Sequence, residues 1–265
     1  MPTRAPFQFW GGKQYLVGRL VKLIPPHRIY VEVFGGAAAL LFAKQPSELE
    51  IYNDIDSNIV NFFRVLRDEA KVQRLVHLLR LTPYSREEFY FCRDNLNEPD
   101  IDDVERARRF FVVVQQSFSG NMQTWGPSRT KKVAHNYFNN IDRLIHFSQR
   151  LRNVIVEHKD FEELIKQYDT PETFFYCDPP YLGANYFGHV MTEHDHERLI
   201  RTLLSIRGKA MVSHYPHPLY DQLLKLGWKK ITFRRPLYYK QNIGGTRRYV
   251  RECVYFNYEP PKRRE

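Results

Sequence analysis

The residues of this chain that are best suited to chemistry are Asp178-Pro179-Pro180-Tyr181. They follow the β-prone residues Phe174 to Cys177, so a buried strand is predicted to end in a loop stiffened by two proline rings. Proline carbonyls have no local proline N–H as a partner, and with the Asp178 carboxylate they offer acceptors beside an aromatic face. This set suits a planar ligand that carries an amino group. The tetrapeptide alone is equally compatible with an ordinary turn after a strand.

A strand, a glycine turn and a helix are predicted nearer the N-terminus, over Ile29 to Phe34, Gly35-Gly36 and Ala37 to Lys44. In doubly wound sheets this unit lets a ligand lie close to the backbone, because glycine has no side chain. The glycine pair is not the full dinucleotide fingerprint and no Walker lysine follows it. A pyrophosphate-containing cofactor is therefore not favoured.

An acid follows the next predicted strand, Leu49 to Tyr52, at Asp54. In Rossmann-like sheets a carboxylate at this place accepts hydrogen bonds from ribose hydroxyls, so Asp54 is the candidate ribose ligand. Asp56 or Ser57 is better interpreted as the N-cap of a helix over Asn58 to Asp68.

Lys13 lies after two glycines, close to the start of a helix predicted over Gln14 to Ile24. A cation is electrostatically unfavourable in the first turn of a helix, which indicates that Lys13 serves another group. An ordinary exposed lysine is the alternative interpretation.

The βα alternation is lost between about Glu69 and Thr130, where charged helical segments replace it, and we predict that residues 67–150 form an inserted, mainly helical region. Helices are expected over Lys71 to Leu81, Ser85 to Asn95 and Val104 to Gln116. The segment Ser117 to Lys132 mixes aromatic, hydrogen-bonding and basic side chains, as a loop that reads nucleic acid would. A loop that merely covers an active site is the alternative.

The alternation resumes after this region and ends in a hairpin. The predicted elements are a helix over Asn140 to Arg152, a strand over Val154 to Val156, a helix over Glu162 to Tyr168, a strand over Lys209 to Tyr215, a helix over Leu219 to Leu226, and hairpin arms over Trp228 to Pro236 and Glu252 to Tyr258. The hairpin tip is basic and contains two glycines. Its arginines suit phosphate contacts, although a solvated edge strand is an equally ordinary use of them.

A chain of 265 residues, 43% of them apolar, is long enough to bury a full core. Its net charge of +10 is spread along the chain and favours nucleic acid as a partner. Cys92, Cys177 and Cys253 are too few and too far apart for a disulfide framework or a zinc knuckle. His194 and His196 point to different sides of a helix, so they do not indicate zinc. Without a signal peptide or a membrane span, we expect a soluble protein of the reduced cytoplasm.

Five segments, taken in order and spacing, resemble the Dam-like (D12 class) DNA adenine-N6 methyltransferases, over about residues 7 to 258. They are Phe9 to Lys13, Val33-Phe34-Gly35-Gly36, Asn53-Asp54-Ile55-Asp56, Asp160-Phe161 and Asp178-Pro179-Pro180-Tyr181. The resemblance implies the cofactor S-adenosylmethionine (AdoMet), with no metal. It implies an α/β class I, Rossmann-like fold: a seven-stranded, mostly parallel sheet with an antiparallel terminal hairpin. The target-recognition region, 67–150, would interrupt a catalytic domain formed by 1–66 and 151–265.

Carried over by position, the resemblance implies the catalytic and cofactor-binding residues, and the composition of the Ser117 to Lys132 segment and of the terminal hairpin adds a set of DNA-binding residues. The catalytic set is Asp178, Pro179, Pro180 and Tyr181. The cofactor-binding set is Phe9, Trp10, Lys13, Phe34, Gly35, Gly36, Ala37, Asp54, Asp160, Phe161 and Asp178. The DNA-binding set is Ser119, Asn121, Gln123, Trp125, Arg129, Lys131, Lys132, Lys240, Asn242, Arg247 and Arg248.

The resemblance also implies a reaction. Asp178 and the Pro179 carbonyl would accept the hydrogens of the adenine N6 amino group, and Tyr181 would stack on a base flipped out of double-stranded DNA. Methylation of cytosine N4, of RNA or of a protein amide, and a non-catalytic nucleic-acid-binding module, are the alternatives. We expect a monomer or a weak dimer from a bacterial or phage setting, such as restriction–modification.

Overall fold

The computed structural model describes residues 5–8, 12–128, 130, 132–183, 190–236 and 249–261. Seven strands form a single sheet in the order β3-β2-β1-β4-β5-β7-β6. Their bounds are β1 Ile29–Glu32, β2 Leu49–Asn53, β3 Val154–Glu157, β4 Thr173–Cys177, β5 Lys209–His214, β6 Lys229–Pro236 and β7 Tyr249–Phe256. The first five strands are mutually parallel, and β7 lies antiparallel between β5 and β6. The predicted fold class is confirmed.

Helices cover both faces of the sheet. Their bounds are α1 Val17–Leu20, α2 Ala39–Ala43, α3 Ser57–Arg67, α4 Glu69–Leu81, α5 Arg86–Asp94, α6 Asp103–Gln116, α7 Val133–Asp142, α8 Leu144–Leu151, α9 Phe161–Tyr168, α10 Glu193–Leu204 and α11 Pro218–Lys225. Short 3-10 helices cover Val21–Leu23 and Phe118–Gly120. Every residue of β1 and of β4 is buried, which is why both strands are continuously apolar or aromatic apart from Glu32 and Thr173.

Most predicted helices agree with the structure to within two residues at each end, and three require comment. The helix expected over Gln14 to Ile24 is one short α-helical turn followed by a 3-10 turn. The helix expected from Ala37 starts only at Ala39, because Gly36 and Ala38 take left-handed backbone angles, with φ of 47° and 55°. The helix expected over Asn140 to Arg152 is two helices, and the first of them begins at Val133.

The N-cap prediction for α3 is confirmed for Asp56. Its carboxylate accepts hydrogen bonds from the backbone N–H groups of Asn58 and Ile59, at 2.8 and 3.4 Å. The cap satisfies donors that the first helical turn leaves without a partner. It also leaves Asp54, two residues earlier, outside the helix.

The helices that follow α3 share a hydrophobic core with it and with one face of the sheet. Phe62 of α3 packs on Phe110 and Phe111 of α6, with ring centroids 5.6 and 5.8 Å apart. The other face of the sheet is covered by α9, α10 and α11 through residues such as Leu164, Leu199 and Leu223. No helix within the described ranges combines the length and apolar composition needed to cross a membrane.

A buried ion cluster joins the end of α8 to the sheet. Glu50 of β2 is 2% exposed and lies 2.5 Å from the ammonium of Lys44 and from the guanidinium of Arg150. A buried carboxylate needs such partners to remain charged. The last helix before β3 is thereby held against β2, the strand that precedes Asp54.

Candidate active site

The sheet brings the candidate site residues together at the carboxyl ends of its parallel strands. Because β1 to β4 are parallel neighbours, the residues that follow their carboxyl ends lie along the same side of the sheet. The glycine turn follows β1, Asp54 follows β2, Asp160 follows β3 and Asp178 follows β4. Ligands in open α/β sheets bind at this edge.

The glycine turn after β1 is locked against β2. The Tyr52 hydroxyl donates a hydrogen bond to the Gly36 carbonyl at 2.7 Å. A Cβ atom on Gly35 would lie 2.1 Å from a carbon of the Tyr52 ring, so only glycine fits at this position. The turn thus presents bare backbone at the edge where a cofactor would lie.

Asp54 is fixed to the same turn. Its Oδ2 accepts a hydrogen bond from the Gly36 N–H at 2.7 Å, and its Oδ1 accepts one from the Asp56 N–H at 2.9 Å. Each carboxylate oxygen has a second acceptor site. The half-buried Asp54 is therefore oriented by the backbone at the carboxyl end of β2.

Two aromatic rings face each other beyond β1 and β3. The ring centroids of Phe34 and Phe161 lie 5.7 Å apart, and the Arg198 guanidinium lies 4.4 Å from the centroid of Phe161. Asp160 caps α9 by accepting from the Glu162 N–H at 2.9 Å and pairs with Arg198 at 2.8 Å. The two rings provide apolar surface for a flat heterocycle.

Asp178 lies beside the buried ammonium of Lys13. The Nζ atom of Lys13 is 2.6 Å from Asp178 Oδ1 and 3.1 Å from Glu252 Oε1, and Lys13 is only 5% exposed. Interpreting Lys13 as an exposed lysine is therefore wrong. Burial alone would lower the pKa of Lys13, but the two carboxylates outweigh it and raise the pKa above its ordinary value.

The Asp178 carboxylate has an unusual protonation equilibrium. Burial raises its pKa to about 6, while the neighbouring Lys13 acts in the opposite direction and Glu252 adds to the rise. A carboxylate with such a pKa is largely ionised at neutral pH and becomes protonated in mildly acidic solution. Perturbed carboxyl groups of this kind are typical of functional sites.

The rest of the Asp-Pro-Pro-Tyr loop packs inward. Pro179 is buried and Pro180 is half-buried. Tyr181 is 3% exposed, its hydroxyl donates a hydrogen bond to Glu252, and Lys13 Nζ lies 4.4 Å from its ring centroid. The ring also packs nearly at right angles to the ring of Tyr215, with centroids 4.6 Å apart.

Two groups around this loop were missed by the sequence analysis. Glu252 of β7 accepts hydrogen bonds from the hydroxyls of Tyr15 and Tyr181. His214 at the end of β5 accepts from the Leu182 N–H at 3.0 Å, and burial lowers its pKa to about 4, so the ring is neutral. The sole sequence signal for Glu252 is an acid inside an apolar strand.

The segment predicted to read DNA forms a compact turn closed by a bridge between Ser117 and Trp125. The Asn121 side chain accepts hydrogen bonds within this turn, and Trp125 packs beside Tyr84 and under the guanidinium of Arg86. The other described members of the predicted DNA-binding set are exposed: Ser119, Gln123 and Lys132.

Several predicted site residues lie outside the described part of the chain. They are Phe9, Trp10, Arg129, Lys131, Lys240, Asn242, Arg247 and Arg248. Among the residues that the structure describes, no group of three His, Cys, Asp or Glu side chains is arranged to hold a metal ion. All three cysteines are buried and free.

The chain is similar to several curated methyltransferases. It is 28% identical over 210 residues to the type II methyltransferase M.MjaIII of Methanocaldococcus jannaschii, covering 68% of this chain and 70% of that protein. It is 28% identical over 245 residues to the type II methyltransferase M1.LlaDCHI of Lactococcus lactis subsp. cremoris, covering 83% and 84%. It is 24% identical over 213 residues to the DNA N-6-adenine-methyltransferase of Escherichia phage P1, covering 76% of this chain and 28% of that larger protein.

A family model also matches most of the chain. Residues 9–243 match the D12 class N6 adenine-specific DNA methyltransferases, a range that includes the glycine turn, Asp54 and the Asp178 loop. Methyltransferases of this family and fold use AdoMet as the methyl donor. The chain therefore belongs to the D12 class of N6 adenine-specific DNA methyltransferases and is an enzyme that transfers a methyl group from AdoMet to adenine in DNA.

Proposed function

We propose that this enzyme methylates an adenine flipped out of double-stranded DNA, and that Asp178 and the Pro179 carbonyl accept the two hydrogens of its amino group. The observation that carries the proposal is the half-buried Asp178 carboxylate, which already holds a nitrogen donor, the Lys13 ammonium, 2.6 Å from Oδ1. An amino group can take the same place when Lys13 moves away. Because the amino group is buried inside a duplex, the base has to leave the helix to reach this site.

The chemical task of Asp178 is to localise the lone pair of the amino nitrogen. That lone pair is delocalised into the adenine ring, which makes the nitrogen a poor nucleophile. When Asp178 and Pro179 accept both hydrogens, the lone pair is directed away from them and is free to form the new nitrogen–carbon bond. AdoMet would supply an electrophilic sulfonium methyl group, whose carbon–sulfur bond breaks as the nitrogen–carbon bond forms, so that S-adenosylhomocysteine leaves as a neutral thioether. Positive charge develops on the adenine nitrogen, the adjacent Asp178 carboxylate stabilises it, and one N6 proton is then released to solvent.

The residues along the sheet edge fit the cofactor. The Phe34 and Phe161 rings would hold its adenine, Asp54 would bind the ribose hydroxyls, and the backbone of the Gly35-Gly36 turn would lie beneath it. Lys13 would border its methionine end together with Phe9 and Trp10. The neighbouring Tyr181 would contact the target base, which requires the Lys13 ammonium to leave its ring face.

Residues 67–150 and the tip of the terminal hairpin are proposed to bind the DNA duplex. The net charge of +10 suits this partner, and the exposed Ser119, Gln123 and Lys132 are available for contacts. We further propose that the enzyme acts as a monomer in the cytoplasm, where the three free, buried cysteines are compatible with a reducing environment.

DNA affinity is expected to fall steeply with salt, because Lys and Arg contacts to phosphates release counterions. The logarithm of the association constant should fall with the logarithm of salt concentration with a slope steeper than about −3. Fluorescence anisotropy with duplex DNA measures the association constant at each salt concentration.

Lys132→Ala is expected to reduce the magnitude of the slope by about 1. Lys225 is an exposed lysine at the end of α11, and Lys225→Ala should leave the slope unchanged. A flat titration for the wild type would contradict phosphate binding.

Methyl transfer is expected to lose rate in mildly acidic solution. Only the ionised form of Asp178 both accepts a hydrogen bond from the adenine amino group and stabilises the positive charge that develops on its nitrogen. Burial raises the pKa of Asp178 to about 6. The rate constant kcat/KM should therefore be constant above neutrality and about tenfold lower at pH 5. A pH series with tritiated AdoMet measures it. A rate that stays constant from pH 8 to pH 5 would exclude Asp178 as the titrating group.

Base flipping is tested directly with a fluorescent base. Methylation-sensitive sequencing of DNA from cells that express the protein first identifies the target sequence. A duplex with 2-aminopurine in place of the target adenine should then fluoresce more strongly when the enzyme binds, because the base leaves the stack. An unchanged signal with full binding would contradict flipping, and nucleoside analysis of the methylated product checks the base.

A further inference from the structure

Glu252 is the acceptor on which the groups around Asp178 converge, although it comes from the antiparallel strand β7. It is 2% exposed and accepts hydrogen bonds from the hydroxyls of Tyr15 and Tyr181. Its Oε1 atom also lies 3.1 Å from Lys13 Nζ. A buried carboxylate with such partners fixes the positions of the groups that donate to it.

We propose that Glu252 is a positioning residue for methyl transfer, which holds the Tyr181 ring beside Asp178 and retains the Lys13 ammonium when the target amino group replaces it at Asp178. The inference rests on the proposed role of Asp178. It adds a residue outside the Asp-Pro-Pro-Tyr loop, on a strand that neighbours β5 rather than β4.

The first part of the proposal follows from how Tyr181 is held. Its hydroxyl donates a hydrogen bond to Glu252, while its ring contacts the Lys13 ammonium and packs nearly at right angles to the ring of Tyr215. A tyrosine side chain has two rotatable bonds, and a hydrogen bond at the hydroxyl restrains the end farthest from the backbone. Without Glu252 the ring loses this restraint beside Asp178.

The second part follows from the two distances to Lys13. The ammonium lies 2.6 Å from Asp178 and 3.1 Å from Glu252, so it contacts both carboxylates at once. An amino group that binds Asp178 Oδ1 has to displace it. Because Lys13 is buried, an ammonium without a carboxylate would be strongly disfavoured. Glu252 removes that cost, since Lys13 can keep one ion pair while it releases the other.

Glu252 has the charge that this role requires. Burial raises its pKa, but Lys13 and the hydroxyls of Tyr15 and Tyr181 outweigh burial and bring the pKa below its usual range. Asp178 is a second acid, and its charge interacts electrostatically with that of Glu252. Glu252 is therefore ionised at the pH values at which Asp178 works.

The test compares Glu252→Gln and Glu252→Asp with the wild type in single-turnover methylation of unmethylated genomic DNA. Glu252→Gln keeps the shape but not the charge, and its transfer rate should fall by about 10- to 100-fold. The rates are compared at saturating AdoMet, because displacement of Lys13 can also weaken cofactor binding, and the dissociation constant for DNA should stay within about threefold. Glu252→Asp restores the charge and should recover part of the rate. A wild-type rate in Glu252→Gln would overturn the proposal.

Glu50→Gln is the matched control, because Glu50 is equally buried and also pairs with a lysine, Lys44, near the amino-terminal end of β2 and away from the carboxyl ends of the strands. It should lower the thermal unfolding temperature and leave the transfer rate per folded molecule unchanged. If Glu252→Gln loses rate only in proportion to its folded fraction or its AdoMet binding, Glu252 is merely structural and the proposal fails.

Two further measurements separate this inference from the proposed function. Nucleoside analysis of the wild-type product tests adenine methylation, while the ratio of variant to wild-type rates tests Glu252 whichever amino group is methylated. A crystal structure of Glu252→Gln provides a readout without activity. Displacement of the Tyr181 ring and of Lys13 is expected, and unchanged positions of both would overturn the inference.

Discussion

Replacing Asp178 with alanine is expected to lower the rate of methyl transfer by at least about 10³-fold while AdoMet still binds. The variant removes the acceptor that localises the nitrogen lone pair and the charge that stabilises the methylated nitrogen. Asp178→Asn should lose nearly as much, since an amide has no negative charge and one of its two groups is a donor. Single-turnover assays with tritiated AdoMet measure the rate, and calorimetry measures cofactor affinity.

The loss should not be caused by unfolding. Burial raises the pKa of Asp178 to about 6, so its ionisation at pH 7 works against folding, and removing the group costs little stability in this respect. Lys13 also keeps Glu252 as a partner. Asp169→Ala is the matched control: its carboxylate accepts from the Arg207 and Gly208 N–H groups at the opposite edge of the sheet. Asp169→Ala should lower the free energy of unfolding and leave the rate of methyl transfer unchanged. Wild-type turnover by Asp178→Ala would exclude the mechanism.

The positions of the strand-end residues could be predicted from the sequence because each depends on local patterns. The buried central strands are rich in apolar and aromatic residues, and Asp54 and Asp178 follow them directly. The carboxyl ends of neighbouring parallel strands lie on the same side of the sheet, so residues that follow these strands are predicted to lie close together. The same logic predicts the N-cap at Asp56, which depends only on the residues that follow it.

Contacts that depend on the order of strands in the sheet could not be predicted in this way. Glu252 and Tyr15 are 237 residues apart, and they meet because β7 inserts between β5 and β6. No local periodicity encodes that insertion. The burial of Lys13 is equally non-local, since its carboxylate partners come from β7 and from the loop after β4. Sequence patterns can indicate an unusual lysine but not its partners.

Replacing Gly35 with alanine is expected to weaken both folding and cofactor binding, because it acts on the cofactor site. The added Cβ would lie 2.1 Å from the Tyr52 ring, which is fully buried and bonded through its hydroxyl to Gly36. Because the ring has no room to move, the turn has to shift. Overpacking of this kind costs about 1–3 kcal/mol or more of unfolding free energy, and the AdoMet dissociation constant should rise at least about tenfold as the backbone leaves its place.

Gly18→Ala separates the geometric effect from the general effect of a methyl group. A Cβ atom at Gly18, within α1, meets no other atom within 4 Å. The free energy of unfolding of this variant should rise by up to about 1 kcal/mol, because glycine loses more backbone entropy than alanine when a helix forms. Urea denaturation and AdoMet titration of both variants give the comparison. If Gly35→Ala matches the wild type in both, the turn is not held against Tyr52 as the structure shows, and bare backbone at this turn is not what the cofactor requires.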